Sequence, residues 1–535
     1  MTEAEEMSRP PAGETPPGES RPDDETRAEH RESVPADERD ALVTIAHGAV
    51  VTSGGLSLQR VLATATEFVL ARALGPVVYG VYALAWRLAQ LLFRFVNFGT
   101  VQTLQRYVPA YEDDHGRRAR VAGLAYLTTA AVGAGLAVAL VATADRLNAL
   151  TVAHPLFPPA MAAVGAVVAL TGIVRTHASL LRAVGSARGE VTFTRVLLPA
   201  VRLATALLAV GLGYSVVGVM GALAVGTALL VAIGAPAVVS ATGIRPTVRG
   251  ARSELRAFYN HATPVALSSI GKVFQNRVDI LLVGALLTAT ATGVYGVVLV
   301  YVSLAWIPLL AFNMLLPPVA TELYAEDRVD TLDRVYTSIT RLILTAVVPI
   351  LAVQTVFGRE LLGLFGPTYT AGYLPLVVYL AGVLAGSAVG ATGWLLVMTD
   401  HQYIRMALDW LLAAGNVALT YLFISAFGLV GAALGTGLAI ALQNGLQVLV
   451  LRHYEGLFAF DATFLKPLAA GVAMAGAMWL TRAAVGGLAS LAAGVPVGVA
   501  VYLGTLVALG VTAQDRLVAR TLAARYRRSL GAVLP

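Results

Sequence analysis

Arg60 and Glu67 stand seven residues apart, two helical turns, and so share one face of any helix that carries them. Arg87 and Arg94 repeat that spacing, and Lys272, Gln275, Asn276, Arg277 and Asp279 fall close together farther along. All of them lie in long apolar stretches. A charge carried into a bilayer costs roughly 2.5–3.5 kcal/mol on insertion scales, so it must face a cavity, meet a partner or snorkel to the interface. Guanidinium and ammonium groups gathered around one cavity suit a phosphate or pyrophosphate. Arg60, Arg87, Arg94, Lys272 and Arg277 are therefore the candidate anion-binding residues. Glu67 and Asp279 are candidates for ion coupling, by H⁺ or Na⁺, or for structural pairing. Asp279 is two residues from Arg277 and points to another side of its helix, which leaves Lys272 or a cation of another stretch as its partner. Arg175 and Arg202 are further cations in apolar stretches.

Other chemistry is thinly represented. The eight His do not cluster as metal ligands; His47 and His177 read as polar helix contacts, and His261 and His401 fall at the ends of apolar stretches. The absence of Cys excludes thiolate catalysis, disulfides and Cys-ligated metals. The small residues of Gly431-Ala432-Ala433-Leu434-Gly435-Thr436-Gly437 suit close helix packing and open no phosphate-binding turn. No enzyme activity, metal, cofactor or nucleic-acid partner is expected.

The body that must hold these residues is apolar: 57% of the 535 residues are hydrophobic and 13% charged, against about 25% charged in soluble chains. With a mean hydropathy of +0.72, a water-soluble enzyme is excluded. A membrane span needs about 20 apolar residues. Fourteen stretches qualify: 42–71, 77–97, 121–143, 158–181, 191–211, 214–240, 262–287, 293–318, 336–357, 371–398, 404–426, 428–450, 464–484 and 490–512. They are continuously apolar rather than alternating, so they read as helices. The connections are too short to hold a soluble catalytic domain. Residues 1–40 differ sharply, with thirteen Asp/Glu, five Arg and six Pro; such a composition predicts a disordered acidic tail. With the N-terminus in the cytoplasm, 21 Arg and Lys fall in the inner loops and C-terminal tail and four in the outer loops. That asymmetry places both termini in the cytoplasm.

The stretches repeat. Tyr79-Gly80-Val81-Tyr82 returns as Thr292-Gly293-Val294-Tyr295, and Tyr111-Glu112-Asp113-Asp114 as Tyr324-Ala325-Glu326-Asp327, both shifted by 213; Val217-Gly218 returns as Val430-Gly431 at the same shift, and Arg60-Val61 as Lys272-Val273 at 212. Six spans separate the copies, so both halves enter the membrane in one direction, as lobes related by an axis along the membrane normal. The expected fold is an all-α polytopic membrane protein of about fourteen transmembrane helices, with two pseudo-symmetric six-helix lobes around a central cavity plus two C-terminal helices. Its expected parts are a tail at 1–40, lobes at 41–240 and 241–450, the last two spans within 451–512 and a basic cytoplasmic tail at 513–535. Arg60 and Lys272, one on the first helix of each lobe, are then expected to face each other across the cavity. Asp113-Asp114-His115-Gly116-Arg117-Arg118 resembles the Asp–Arg–Gly–Arg–Arg turn of the major facilitator family, but its second-half counterpart lacks Gly-Arg-Arg, so it reads as an ordinary basic turn.

Several segments resemble the polysaccharide-transport (oligosaccharide flippase) family of the MATE-like MOP exporter superfamily. Leu74-Gly75-Pro76-Val77-Val78-Tyr79-Gly80-Val81-Tyr82-Ala83-Leu84 is similar to that family's turn between spans 1 and 2, and Asp279-Ile280-Leu281-Leu282 with Ala291-Thr292-Gly293-Val294-Tyr295 to its second-lobe copy. Leu364-Phe365-Gly366-Pro367-Thr368-Tyr369 is similar to its turn before span 10, and Asn416 with Gly428-Leu429-Val430-Gly431-Ala432-Ala433 to a segment across spans 11 and 12. The resemblance covers roughly 42–450. It implies export of a lipid-linked oligosaccharide on a polyprenyl phosphate or pyrophosphate carrier, in the cytoplasmic membrane, by alternating access, with membrane lipids and glycan-assembly enzymes as neighbours. A multidrug antiporter of the same superfamily is the alternative, but it favours an acidic cavity for organic cations, whereas Arg exceeds Asp and Glu within these spans. A membrane glycosyltransferase would need a large external loop, and those at 144–157 and 359–370 are short.

Overall fold

The computed structural model describes residues 36–271, 278–510, 512 and 514–516. Lys272, Gln275, Asn276 and Arg277 lie outside the described residues, as do residues 1–35 of the acidic tail and nearly all of the basic tail. Residues 36–40 are helical, although the sequence reading gives them to the tail; acidic residues directly after Pro35 suit a first helical turn.

Among the described residues there is no β-strand. The helices are α1 (Ala36–Leu92), α2 (Thr100–Ala110), α3 (His115–Ala149), α4 (Phe157–Ala183), α5 (Ala187–Val191), α6 (Leu198–Gly211), α7 (Val216–Thr242), α8 (Arg252–Gly271), α9 (Val278–Leu286) and α10 (Ala289–Ala305). They continue as α11 (Ile307–Asn313), α12 (Leu316–Ala325), α13 (Val329–Val356), α14 (Gly358–Gly363), α15 (Tyr373–Ala388), α16 (Thr392–Met398), α17 (Gln402–Glu455), α18 (Leu465–Val485) and α19 (Gly487–Ala508).

Eleven helices among the described residues are long and apolar enough to cross a membrane, fewer than the fourteen stretches of the sequence. Two of them fold back on themselves. A straight helix of 54 residues would be about 80 Å long, far beyond a bilayer core of about 30 Å. α17 accordingly breaks at Gly428 (φ 56°, ψ −130°) and α1 at Gly75 (φ 72°, ψ 168°). Both glycines hold backbone that a residue with a Cβ adopts only under strain. Stretch 293–318 is shared among α10, α11 and α12, and stretch 262–287 between α8 and α9.

The two halves meet where the sequence repeats. α10 packs along α1, and the glycines of the two copies lie at the crossing. A Cβ on Gly80 would stand 1.9 Å from the Ala289 carbonyl oxygen, and one on Gly293 would stand 2.2 Å from that of Pro76. Ala289 follows Pro76 by the same 213 residues that separate the glycines, so the contact is reciprocal, as a two-fold relation between the halves requires. Around this seam α3 packs on α4 and α4 on α7 in the first half, while α15 and α9 pack on α17 in the second. α18 and α19 pair with each other and attach to α13 through Leu344, Val348, Met474, Met478 and Tyr502. Large apolar side chains such as Leu229, Ile233, Leu449, Val472 and Leu480 face outward, as expected of a surface bathed by lipid.

Candidate functional site

A cavity of about 850 Å³ opens between the halves. Its first-half wall comes from α1, α4, α6 and α7. The descending limb of α1 contributes Trp86, Arg87 and Gln90, with Arg94 just beyond, while Gln59 and Arg60 come from the limb before Gly75. Arg60, Arg87 and Arg94 thus line one chamber, Arg94 from the turn after α1 rather than from a shared helical face. α4 adds Thr171 and Arg175, and α6 adds Arg202. α5 and α6 are joined by a π-helical segment, Thr192–Leu197, whose Thr194 also lines the wall; such segments re-aim side chains within a helix. The second-half wall carries Ser303, Trp306, Tyr379, Asn416 and Thr436 among Val302, Leu310, Leu412 and Ile440. Among the described lining residues there is no Asp or Glu, and every charge belongs to the first half.

Glu67 sits at the edge of this chamber, in a recess of about 50 Å³ shared with Arg60, Arg87, Gln90 and Arg202. The shared face of Arg60 and Glu67 is seen, but Glu67 takes a different cation. Arg202 donates to Glu67 Oε1 at 2.7 Å, with side chains 10% and 9% exposed. Tyr79 donates to the second carboxylate oxygen at 2.9 Å, and Arg202 also bonds the Tyr82 hydroxyl, at 3.1 Å through Nε. The guanidinium lies 3.9 Å from the centre of the Trp86 ring. Both charges are therefore satisfied, which is what burial of an ion pair demands.

Arg175 differs. Its Nη1 donates to the Phe93 carbonyl at 3.3 Å and its guanidinium lies over the Phe93 ring at 5.4 Å. Nothing in its spacing set it apart from the other span cations; only the packing of α4 beside the turn after α1 brings it to the cavity. The Trp86 indole nitrogen is buried without a hydrogen-bond partner among the described residues. Asp279 does not line the cavity. It is fully buried on α9, where Oδ2 accepts from the Tyr295 hydroxyl at 2.9 Å and Oδ1 from the Ile280 amide at 2.9 Å. The expected Arg60–Lys272 pairing across the cavity involves a residue outside the described set, as does the assignment of Arg277.

Both ends of the seam carry contacts between the halves. At one end the turn 364–372 closes over α1: Arg72 donates to the Leu364 carbonyl and Tyr369 to the Ala71 carbonyl, each at 2.9 Å. Phe365 meets Phe68 edge-on at 5.4 Å, and Tyr369 meets Tyr79 at 6.0 Å. Toward the other end, α8 is fastened to the first half. Arg117 grips Glu254 with two bonds of 3.0 and 3.1 Å, and Arg120 adds one of 3.3 Å. Arg117, followed by Arg120, holds the Glu254 carboxyl below the ordinary carboxylate range. The basic turn at 113–118 thus has a structural use: Asp114 caps α3 by accepting from the Arg117 amide at 2.8 Å.

Residues 69–374, more than half of the chain, match the family described as "Polysaccharide biosynthesis protein". The chain belongs to that family. The segment 74–84 that carries the resemblance in the sequence lies inside the match. No curated protein matches the chain. Solved structures share the fold of this family member. Lipid II flippase MurJ, in an inward closed conformation, superposes with a TM-score of 0.69 at 13% identity, covering 85% of this chain and 98% of that one. An inward-facing multidrug resistance MATE family transporter of the MOP superfamily gives 0.62 at 17% identity, covering 77% and 98%. A MOP superfamily transporter from Pyrococcus furiosus, described by a binding pocket of reverse polarity, gives 0.53 at 16% identity, covering 79% and 96%. The protein is thus a multi-pass membrane protein with the fold of MOP-superfamily transporters.

Proposed function

We propose that this protein is a flippase that carries a lipid-linked oligosaccharide, on a polyprenyl phosphate or pyrophosphate carrier, across the cytoplasmic membrane by alternating access, with both termini in the cytoplasm. The observation that carries this reading is the cavity between the halves, lined by Arg60, Arg87, Arg94 and Arg175, with Glu67 at its edge neutralised by Arg202. Guanidinium groups around a low-dielectric chamber recognise the oxygens of a phosphate by charge-assisted hydrogen bonds. The lipid tail stays in the bilayer while the head occupies the chamber, and rocking of the halves exposes it to the other face. Family membership and the fold shared with a lipid II flippase support the reading.

Each charge-assisted bond is worth about 1.5–3 kcal/mol, so removing one cuts affinity by about 10–100-fold. Arg87→Ala and Arg175→Ala are each expected to lower surface glycan while the protein remains in the membrane, and a deletion strain is expected to accumulate lipid-linked sugar on the cytoplasmic leaflet. Wild-type glycan in both variants would overturn the reading. Resistance to cationic dyes conferred by the protein would instead favour a MATE-type antiporter, the alternative that the shared fold leaves open.

A further inference from the structure

The two walls of the cavity differ in kind. Among the described lining residues, the first-half wall holds all the charge, and the second-half wall holds an indole, a phenol, an amide and two hydroxyls. We infer that the second-half wall is the carbohydrate-reading face, so that one half grips the phosphate and the other selects the sugar. This inference rests on the flippase reading above.

Three observations carry it. First, the polar groups on that wall are deeply buried yet line open space: Asn416 is 4% exposed, Thr436 5% and Ser303 8%. Second, Asn416 is held in one orientation. Thr420 and Thr436 donate to its Oδ1 at 2.9 and 3.1 Å, which leaves its NH2 as the group able to donate to a ligand oxygen. Third, Trp306 rests against α15, where a Cβ on Gly386 would meet its ring at 2.7 Å. The indole is therefore braced from behind while it lines the cavity.

These features fit a sugar and not the other parts of the substrate. A polyprenyl tail against this wall would leave the Asn416 amide buried without a partner, at the cost of a desolvated donor. A second phosphate would find no described cation there. A glycan offers hydroxyl oxygens to the amide, hydroxyl protons to the Ser303 and Thr436 oxygens, whose own protons go to the Val300 carbonyl and to Asn416 Oδ1, and a C–H face to the aromatic rings. The division also places phosphate and sugar on different halves, so relative motion of the halves acts on the junction between them.

The probes are the lipid-linked glycan fraction extracted from cells lacking the protein and the same lipid after mild acid has removed its sugars. Binding of each to purified full-length protein in nanodiscs is measured by native mass spectrometry. Wild type is expected to hold the glycosylated lipid about tenfold more tightly than the stripped lipid. Trp306→Ala and Asn416→Ala are expected to bring the glycosylated lipid down to the stripped level and leave stripped-lipid binding unchanged, which also shows that the variants fold. Trp306→Phe, which keeps an aromatic face, is expected to retain most of the preference, whereas Arg87→Ala weakens both probes. Equal wild-type affinity for the two probes overturns the carbohydrate face and spares the flippase reading. A preference that survives both Trp306→Ala and Asn416→Ala also overturns it. Failure of wild type to bind either probe overturns both readings.

Discussion

Arg202 and Arg175 are both arginines on the cavity wall, but their surroundings give them opposite roles. Arg202 neutralises Glu67 and is held by Tyr82 and Trp86, so its loss strands a buried carboxylate. Breaking such a pair costs about 3–5 kcal/mol, while replacing both partners by apolar residues is often neutral. Arg202→Met is therefore expected to lower the melting temperature in detergent sharply, and Arg202→Met with Glu67→Leu to recover most of it. Equal melting of the single variant and wild type would show that the pair is not structural. Arg175 bonds the Phe93 carbonyl, so Arg175→Gln is expected to weaken substrate binding with little change in melting. The sequence displayed these charges but not their partners. Spacing along one helix placed Arg60 and Glu67 on a common face, yet the cation that takes Glu67 is 135 residues away on α6. Periodicity carries no information across helices, and for the same reason it could not single out Arg175.

At the scale of elements, the seam between α1 and α10 and the fastening of α8 make separate predictions. Gly80 and Gly293 allow backbone-to-backbone approach that any side chain prevents. Overpacking costs typically about 1–3 kcal/mol, so Gly80→Leu is expected to destabilise the folded protein, whereas Gly415→Ala, where a Cβ meets open space, is not. Both are read by thermal unfolding on size-exclusion chromatography; a Gly80→Leu protein as stable as wild type would contradict the reciprocal contact. Glu254 makes a pH-dependent contribution. Its carboxyl is depressed by Arg117 and Arg120, so the stability it supplies is present above the unfolded value of about 4.3 and is lost as pH falls through its lower folded value. Glu254→Gln is expected to melt below wild type at pH 7, with the gap closing in acid; a gap unchanged down to pH 3 would refute the linkage. The repeat was legible because both copies kept Gly and Tyr at a constant shift, but not the close contact that its glycines make. The breaks at Gly75 and Gly428 were legible as boundaries between apolar stretches, but not as folds within continuous helices. The Arg117–Glu254 fastening joins the first turns of α3 and α8, 137 residues apart, and left no local trace.

For the whole molecule, the closure formed by turn 364–372 over α1 determines which side the cavity can open to. In the orientation proposed above, with both termini in the cytoplasm, this end is the outer one. Opening it requires loss of the Arg72–Leu364 and Tyr369–Ala71 hydrogen bonds and of the Phe68–Phe365 and Tyr79–Tyr369 ring contacts. At about 0.5–1.5 kcal/mol for each, these contacts amount to a few kcal/mol. That is small enough for ligand binding to shift the balance between two states and large enough to keep the end closed without it. The chain contains no Cys, so Phe68→Cys with Phe365→Cys introduces the only thiols. Joining them with a reducible bis-methanethiosulfonate linker is expected to leave lipid binding intact and to stop translocation in vesicles, with recovery on adding reductant. Each single variant, treated identically, is expected to keep its activity. Full translocation by the linked protein would mean that this end does not separate during transport, and the halves would then have to exchange their substrate by another route.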